Sequence, residues 1–161
     1  MRKKVYIETS IPSFYYEIRP ESTMVARRDW TRAWWDTQRQ HYEVVTGTPV
    51  IEELEKGNHP SKELTLELIA DLPILPVDIF IDDIVKEYIS HYLMPRNPLG
   101  DALHLALASY HRCHFLLTWN CTHLANANKF EHIRHVNNLL GLSVPILTTP
   151  AELPNGEGGM H

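Results

Sequence analysis

Five short runs of β-forming apolar residues, at 4–7, 42–45, 72–77, 115–119 and 144–147, alternate with segments that carry the 3.6-residue spacing of amphipathic helices. This alternation restricts the chain more than any other feature. The helical segments lie at about 23–40, 49–56, 61–70, 79–92, 99–112 and 122–140, and the windows 21–48 and 99–144 contain no proline to interrupt them. Consecutive strands joined through a helix cannot pair as tight hairpins. They imply βαβ crossovers and hence a mostly parallel sheet with helices on both faces, an α/β/α sandwich. Such sheets place ligand chemistry beyond the carboxyl ends of their strands, where the strand order reverses. Residues just past the strand ends are therefore the ones to search.

A chain of 161 residues suits a single domain, taken here as 1–153. The last eight residues, 154–161, hold three glycines and no apolar pattern and read as a frayed tail. The charged start MRKKVYIETS is interrupted by Glu8, Thr9 and Ser10 before an apolar stretch develops, so export is not expected. No apolar window approaches the roughly 18 residues of a membrane span. Two cysteines, Cys113 and Cys121, provide neither a disulfide framework nor a paired metal motif, and a reducing cytoplasm fits best. A net charge of −5 excludes a uniformly basic nucleic-acid binder but leaves room for a local basic face.

Sequence signatures for dinucleotides, the P-loop, the serine-hydrolase elbow and the HExxH zinc site are all missing. The strand ends carry a set of carboxylates instead. Glu8 closes the first strand, with Thr9 and Ser10 behind it as helix starters. Glu53 lies in TPVIEELEKG, read as a helix opened by Thr48 with Pro49 first. Val50, Ile51 and Leu54 set its apolar stripe, with Glu53 roughly 110° from the centre and Glu52 roughly 150° away, so Glu53 is nearer the buried border. Asp101 opens the apolar helix DALHLALASY beside Gly100, and Asn120 ends the run HFLLTWN. Any one of these is as well explained as a cap or a solvated charge. Gathered at one rim they would repel, unless a hard cation such as Mg²⁺ or Mn²⁺ sits among them.

VYIETSIPSFY, PVIEEL, GDALHLALAS and FLLTWNCTHLANA, in this order and spacing, resemble the PIN-domain proteins, in particular the VapC-like toxin branch. The resemblance covers roughly residues 4–150. It implies an α/β/α sandwich around a parallel sheet and an Mg²⁺- or Mn²⁺-dependent ribonuclease, often neutralised by a cognate antitoxin. By motif, Glu8, Glu53 and Asp101 take the first three acidic positions as metal ligands, and Asn120 takes the fourth catalytic position. Two residues depart from the family pattern: Glu8 and Asn120 stand where Asp is common. Three carboxylates in place of four favour one cation over two, with Asn120 expected to position the attacking water or a phosphate oxygen.

Other features carry two readings each. Arg27, Arg28, Arg32 and Arg39 interleave with Trp30, Trp34 and Trp35, which suits either RNA stacking or a helix whose tryptophans fill the core or a homodimer interface. His111/His114 and His132/His135 have HxxH spacing without the cysteines or carboxylate of a zinc site, and scattered surface histidines account for them. His104, one turn beyond Asp101, either orients a ligand or fills the core. Arg96 and Arg112 are expected near the acidic rim, where they would meet an RNA backbone. A PIN fold serving as an RNA- or antitoxin-binding module, and a small-molecule phosphohydrolase, are the competing functional readings.

Overall fold

The structure, a computed structural model, describes residues 2–94 and 99–153. Five parallel strands form one sheet in the order β3-β2-β1-β4-β5: β1 (Lys4–Ile7), β2 (Glu43–Gly47), β3 (Ile74–Leu75), β4 (Phe115–Leu117) and β5 (Ile146–Thr148). The chain builds outward from β1 to β2 and β3, then crosses back to lay β4 on the other side of β1. The order therefore reverses between β1 and β4, where ligand sites of doubly wound sheets form. Val5, Tyr6, Ile7, Leu116 and Leu117 are fully buried, so both faces of the central strands are covered, as a parallel sheet flanked by two helical layers requires.

The helices are α1 (Ser10–Tyr15), α2 (Ser22–Ala33), α3 (Thr48–Lys56), α4 (Lys62–Leu68), α5 (Ile79–Ser90), α6 (Leu99–Tyr110) and α7 (Ala127–Leu140). No helix among the described residues is long and apolar enough to cross a membrane. α6 is the central one. From Asp101 to Ser109 every residue but Leu103 is buried, which explains why its sequence is apolar on nearly every side. A polar group inside that helix must find a partner within the protein. Ser109 does so in a buried network in which Tyr88 donates to Asn137 Oδ1 at 2.7 Å and Asn137 donates to Ser109 Oγ at 2.9 Å.

The differences from the sequence reading have local causes. The segment expected as one helix at 23–40 is α2 continued by a π-helical turn at Trp34–Gln38 and a 3-10 turn at Arg39–His41. That change of pitch lets Trp34 and Trp35 enter the core side by side, with ring centroids 6.5 Å apart. The run at 72–77 pairs over two residues only. α3 begins at Thr48 itself with Gly47 before it, and the Thr48 hydroxyl donates to the Leu75 carbonyl rather than capping the helix. α7 starts at 127, after a turn held by asparagine side chains, and not at 122. The proposed tail at 154–161 lies outside the described residues.

Candidate metal centre

The pairing of Ile7 with Leu117 puts the next residues of the two strands, Glu8 and Thr118, side by side at the carboxyl edge. The Glu8 backbone N–H still bonds Leu117 O at 3.1 Å. Glu8 Oε1 accepts from the Ser10 N–H at 3.0 Å, from Ser10 Oγ at 2.5 Å and from Thr118 Oγ1 at 2.7 Å. These three donors saturate one carboxylate oxygen and fix the rotamer. Ser10 Oγ is itself held by the Trp119 N–H at 2.8 Å, and Thr118 Oγ1 by the Asn120 N–H at 2.9 Å. Thr9, the residue before α1, makes no side-chain cap. Its hydroxyl goes to Glu53 Oε1.

Helix phase turns Glu53 toward the same edge, while Glu52 is exposed. Glu53 Oε1 also meets His104 Nε2 at 3.0 Å, and His104 Nδ1 lies 2.8 Å from the Tyr6 hydroxyl. His104 is 1% exposed, so both ring nitrogens find partners inside the protein. With a hydroxyl on Nδ1 and a carboxylate on Nε2, the imidazole directs an N–H at Glu53 and orients it. Burial alone would lower the His104 pKa; the hydrogen bond to Glu53 and the charges of Glu8, Glu53 and Asp101 outweigh it and raise it. Burial pushes Glu53 upward, but the His104 and Thr9 hydrogen bonds bring it below the ordinary value.

Asp101 stands in the first turn of α6, where the helix dipole favours a carboxylate. Its Oδ1 accepts from Asn120 Nδ2 at 2.9 Å, whereas its Oδ2 is buried with no hydrogen-bond partner among the described residues. Burial, reinforced by the Glu8 carboxylate, raises the Asp101 pKa, while His123 and His104 act against that rise. One turn-residue detail closes the pocket. A Cβ at Gly100 would collide with Glu53 Oε2, so only glycine admits Glu53 this close to α6.

Glu8, Glu53 and His104 bring ligand atoms within 4.8 Å of one another, and theirs is the one such group among the described residues. Asp101 stands outside that trio yet is electrostatically coupled to all three of its members. The donor set fits a hard divalent ion: one oxygen of each carboxylate is held by protein donors, and Glu8 Oε2, Glu53 Oε2 and Asp101 Oδ2 receive no hydrogen bond from the described residues. A buried carboxylate oxygen without a donor is costly unless something positive faces it.

The Asn120 side chain reaches the same edge. Its Oδ1 accepts from the backbone N–H groups of Thr122 at 3.2 Å and His123 at 3.1 Å, so its amide N–H, not its oxygen, faces Asp101. Arg112 is a correction. It lies between α6 and β4, beside the start of β1, where His114 N–H bonds Lys4 O at 2.8 Å, and thus at the edge opposite the carboxylates. Arg96 lies outside the described residues.

Trp34 and Trp35 are buried in the core and Trp30 is 48% exposed, which favours the core-filling reading of that helix. The arginines are not simply solvated. Arg27 sits over the Phe14 and Trp119 rings, Arg32 over Tyr15 and Arg39 over Trp35. His114 is engaged by the Lys4 N–H at 3.0 Å and His132 by the His91 carbonyl at 3.1 Å.

Sequence reasoning left Tyr6 and Thr118 unassigned and gave Thr9 and Ser10 only a capping role. The signal for Thr118 was available, since polar residues directly after adjacent strands, ETS and TWN, stand opposite each other once β1 and β4 pair.

No family model matches the chain, and no curated protein does. Solved structures do match. FitAB bound to an IR36 DNA fragment superposes with a TM-score of 0.55 at 15% identity, over 91% of this chain and 94% of the other. FitAcB from Neisseria gonorrhoeae gives 0.54 at 15%, covering 92% and 99%. VapBC2 from Rickettsia felis, bound to a DNA fragment from its promoter, gives 0.50 at 14%, covering 91% and 98%. The PIN-like α/β/α fold implied by the sequence resemblance is thus the fold this chain has.

Proposed function

We propose that this chain is a cytoplasmic, divalent-metal-dependent endoribonuclease and the toxin of a toxin–antitoxin pair. The observation that supports the reading is the Glu8, Glu53 and His104 group at the sheet's point of reversal, with Asp101 electrostatically linked to it and one oxygen of each carboxylate receiving no hydrogen bond from the described residues. The fold shared with FitAB and VapBC2 supports the toxin role and a partner protein, whose basic side chain would meet the same acidic rim.

Glu8, Glu53 and Asp101 would hold an Mg²⁺ or Mn²⁺ ion. Bound there, such an ion would supply Lewis-acid stabilisation of charge on a phosphodiester and would lower the pKa of a water; cleavage would leave a 5′-phosphate. The chain's own contribution is positioning. Ser10 and Thr118 prevent Glu8 from rotating, and His104, braced by Tyr6, does the same for Glu53. Asn120 fixes Asp101. These bonds orient the three carboxylates in the absence of an ion, which is the preorganisation such a site would use.

Cleavage of an RNA oligonucleotide in Mn²⁺ should be abolished by chelator, and Asp101→Asn should reduce it about 100-fold or more, because an anionic oxygen is lost at constant size. Turnover unaffected by chelation, or an Asp101→Asn variant as active as the parent, would reject this mechanism. A binding module with weakened catalysis is the second reading, and the amide at position 120 favours it. Metal binding without cleavage in the same assay would select it.

A further inference from the structure

Asn120 stands where the family resemblance implies a carboxylate, and its surroundings leave no freedom in how the amide is placed. Its oxygen receives two backbone N–H groups, from Thr122 and His123. Rotating the amide by half a turn would set its NH₂ against those two donors and break both bonds. The NH₂ is therefore committed to Asp101 Oδ1. The Asn120 backbone is committed as well, because its N–H bonds Thr118 Oγ1, which in turn donates to Glu8 Oε1. Residues 118–120 thus tie together the first and third carboxylates, 93 positions apart in sequence, through neutral donors alone.

That arrangement bears on how many cations the pocket takes. A second ion between Asp101 and position 120 would need an oxygen from residue 120 and the free use of Asp101 Oδ1. The first points at the backbone and the second already holds an N–H. The side left for a cation is the opposite one, where Asp101 Oδ2 is buried without a hydrogen-bond partner among the described residues, on a residue only 7% exposed. We propose that Asn120 is a positioning residue whose amide replaces a second cation, holding Asp101 by a neutral hydrogen bond so that the pocket takes one divalent ion. This rests on the reading of Glu8, Glu53 and Asp101 as cation ligands.

The probe is Mn²⁺ itself, titrated into the full chain and followed by calorimetry and by the electron paramagnetic resonance of the free ion, with thermal unfolding measured at each metal concentration. The parent should bind one Mn²⁺ per chain. Asn120→Asp places two carboxylates in contact, so its metal-free form should melt lower than the parent and recover on addition of Mn²⁺, with a second ion bound or the first held at least about tenfold more tightly. Recovery by metal separates this from a merely structural defect. Should that variant fail to fold, Asn120→Ser decides: freeing Asp101 should weaken Mn²⁺ binding about tenfold at unchanged stoichiometry, and unaltered affinity overturns the positioning role. Two ions on the parent, or an Asn120→Asp variant that binds neither more nor tighter, would overturn the inference while leaving the cation site intact. A parent that binds no Mn²⁺ would remove the cation site and the inference with it.

Discussion

Gly100 does for the site what no other residue in α6 could do. It is the point where the helix backbone lies against Glu53 Oε2, and a methyl group there would overlap that oxygen. The atom in the way is the end of a flexible side chain, so the fold would survive Gly100→Ala and Glu53 would yield, leaving its bonds to His104 and Thr9. Alanine also raises helix propensity by about 1 kcal/mol relative to glycine. Two effects of opposite sign are therefore expected from one methyl group: a melting temperature that is unchanged or higher, and Mn²⁺ affinity at least about tenfold lower by calorimetry. Equal metal affinity in parent and variant would show that Glu53 does not contribute to the site. The placement of candidate residues was legible in the sequence where type and position coincided, as for Glu8 after a strand and Asp101 in a first helical turn. It was not legible where a side chain's partner is distant in sequence. Nothing local to DALHLALASY reveals that His104 reaches Glu53 and Tyr6, and nothing in TWN reveals which end of the Asn120 amide faces inward.

At the scale of elements, the strands and most helices follow from periodicity, because burial on both faces of β1 and β4 demands apolar runs and burial around α6 demands an apolar helix. The boundaries that moved are those where polar side chains take over backbone bonding. The Asn120 and Asn126 side chains hold the turn before α7 and delay it to 127. Packing of α6 against α5 and α7 depends on the Tyr88, Ser109 and Asn137 network, in which burial raises the Tyr88 pKa above that of free tyrosine. The neutral phenol belongs to the folded state. Its contribution is full below the unfolded value of about 10 and is lost as pH rises from there toward the folded value, because only the unfolded chain can then ionise. Chemical denaturation tracked between pH 8 and 11 should show stability falling above pH 10. Tyr88→Phe should be less stable at pH 8, since the Asn137 carbonyl loses its donor, yet should fall less steeply above pH 10. Parallel pH profiles for the two proteins would contradict this account of the network.

For the molecule as a whole, the question is which surface would carry the homodimer that the sequence leads one to expect. The tryptophan-rich helix is the expectation from sequence, but two of its three tryptophans are consumed by the chain's own core, and Arg27, Arg32 and Arg39 cover neighbouring aromatic rings. The apolar surface that stays open lies elsewhere. Ile79 and Phe80 open α5 at 69% and 57% exposure, and Phe80 stacks flat on Tyr110 at the end of α6, with centroids 6.1 Å apart and planes within 8°. If the chain dimerises, these exposed apolar side chains are the candidate contact for a second copy. The patch begins where α5 begins, whereas Asp101 sits at the start of α6 and Tyr110 at its end, so covering the patch leaves the carboxylates open. Phe80→Ser should therefore shift the chain from dimer to monomer in light scattering at high micromolar concentration while leaving Mn²⁺ affinity unchanged. A parent that is monomeric at that concentration would reject the dimer. A variant that stays dimeric would place the interface away from α5.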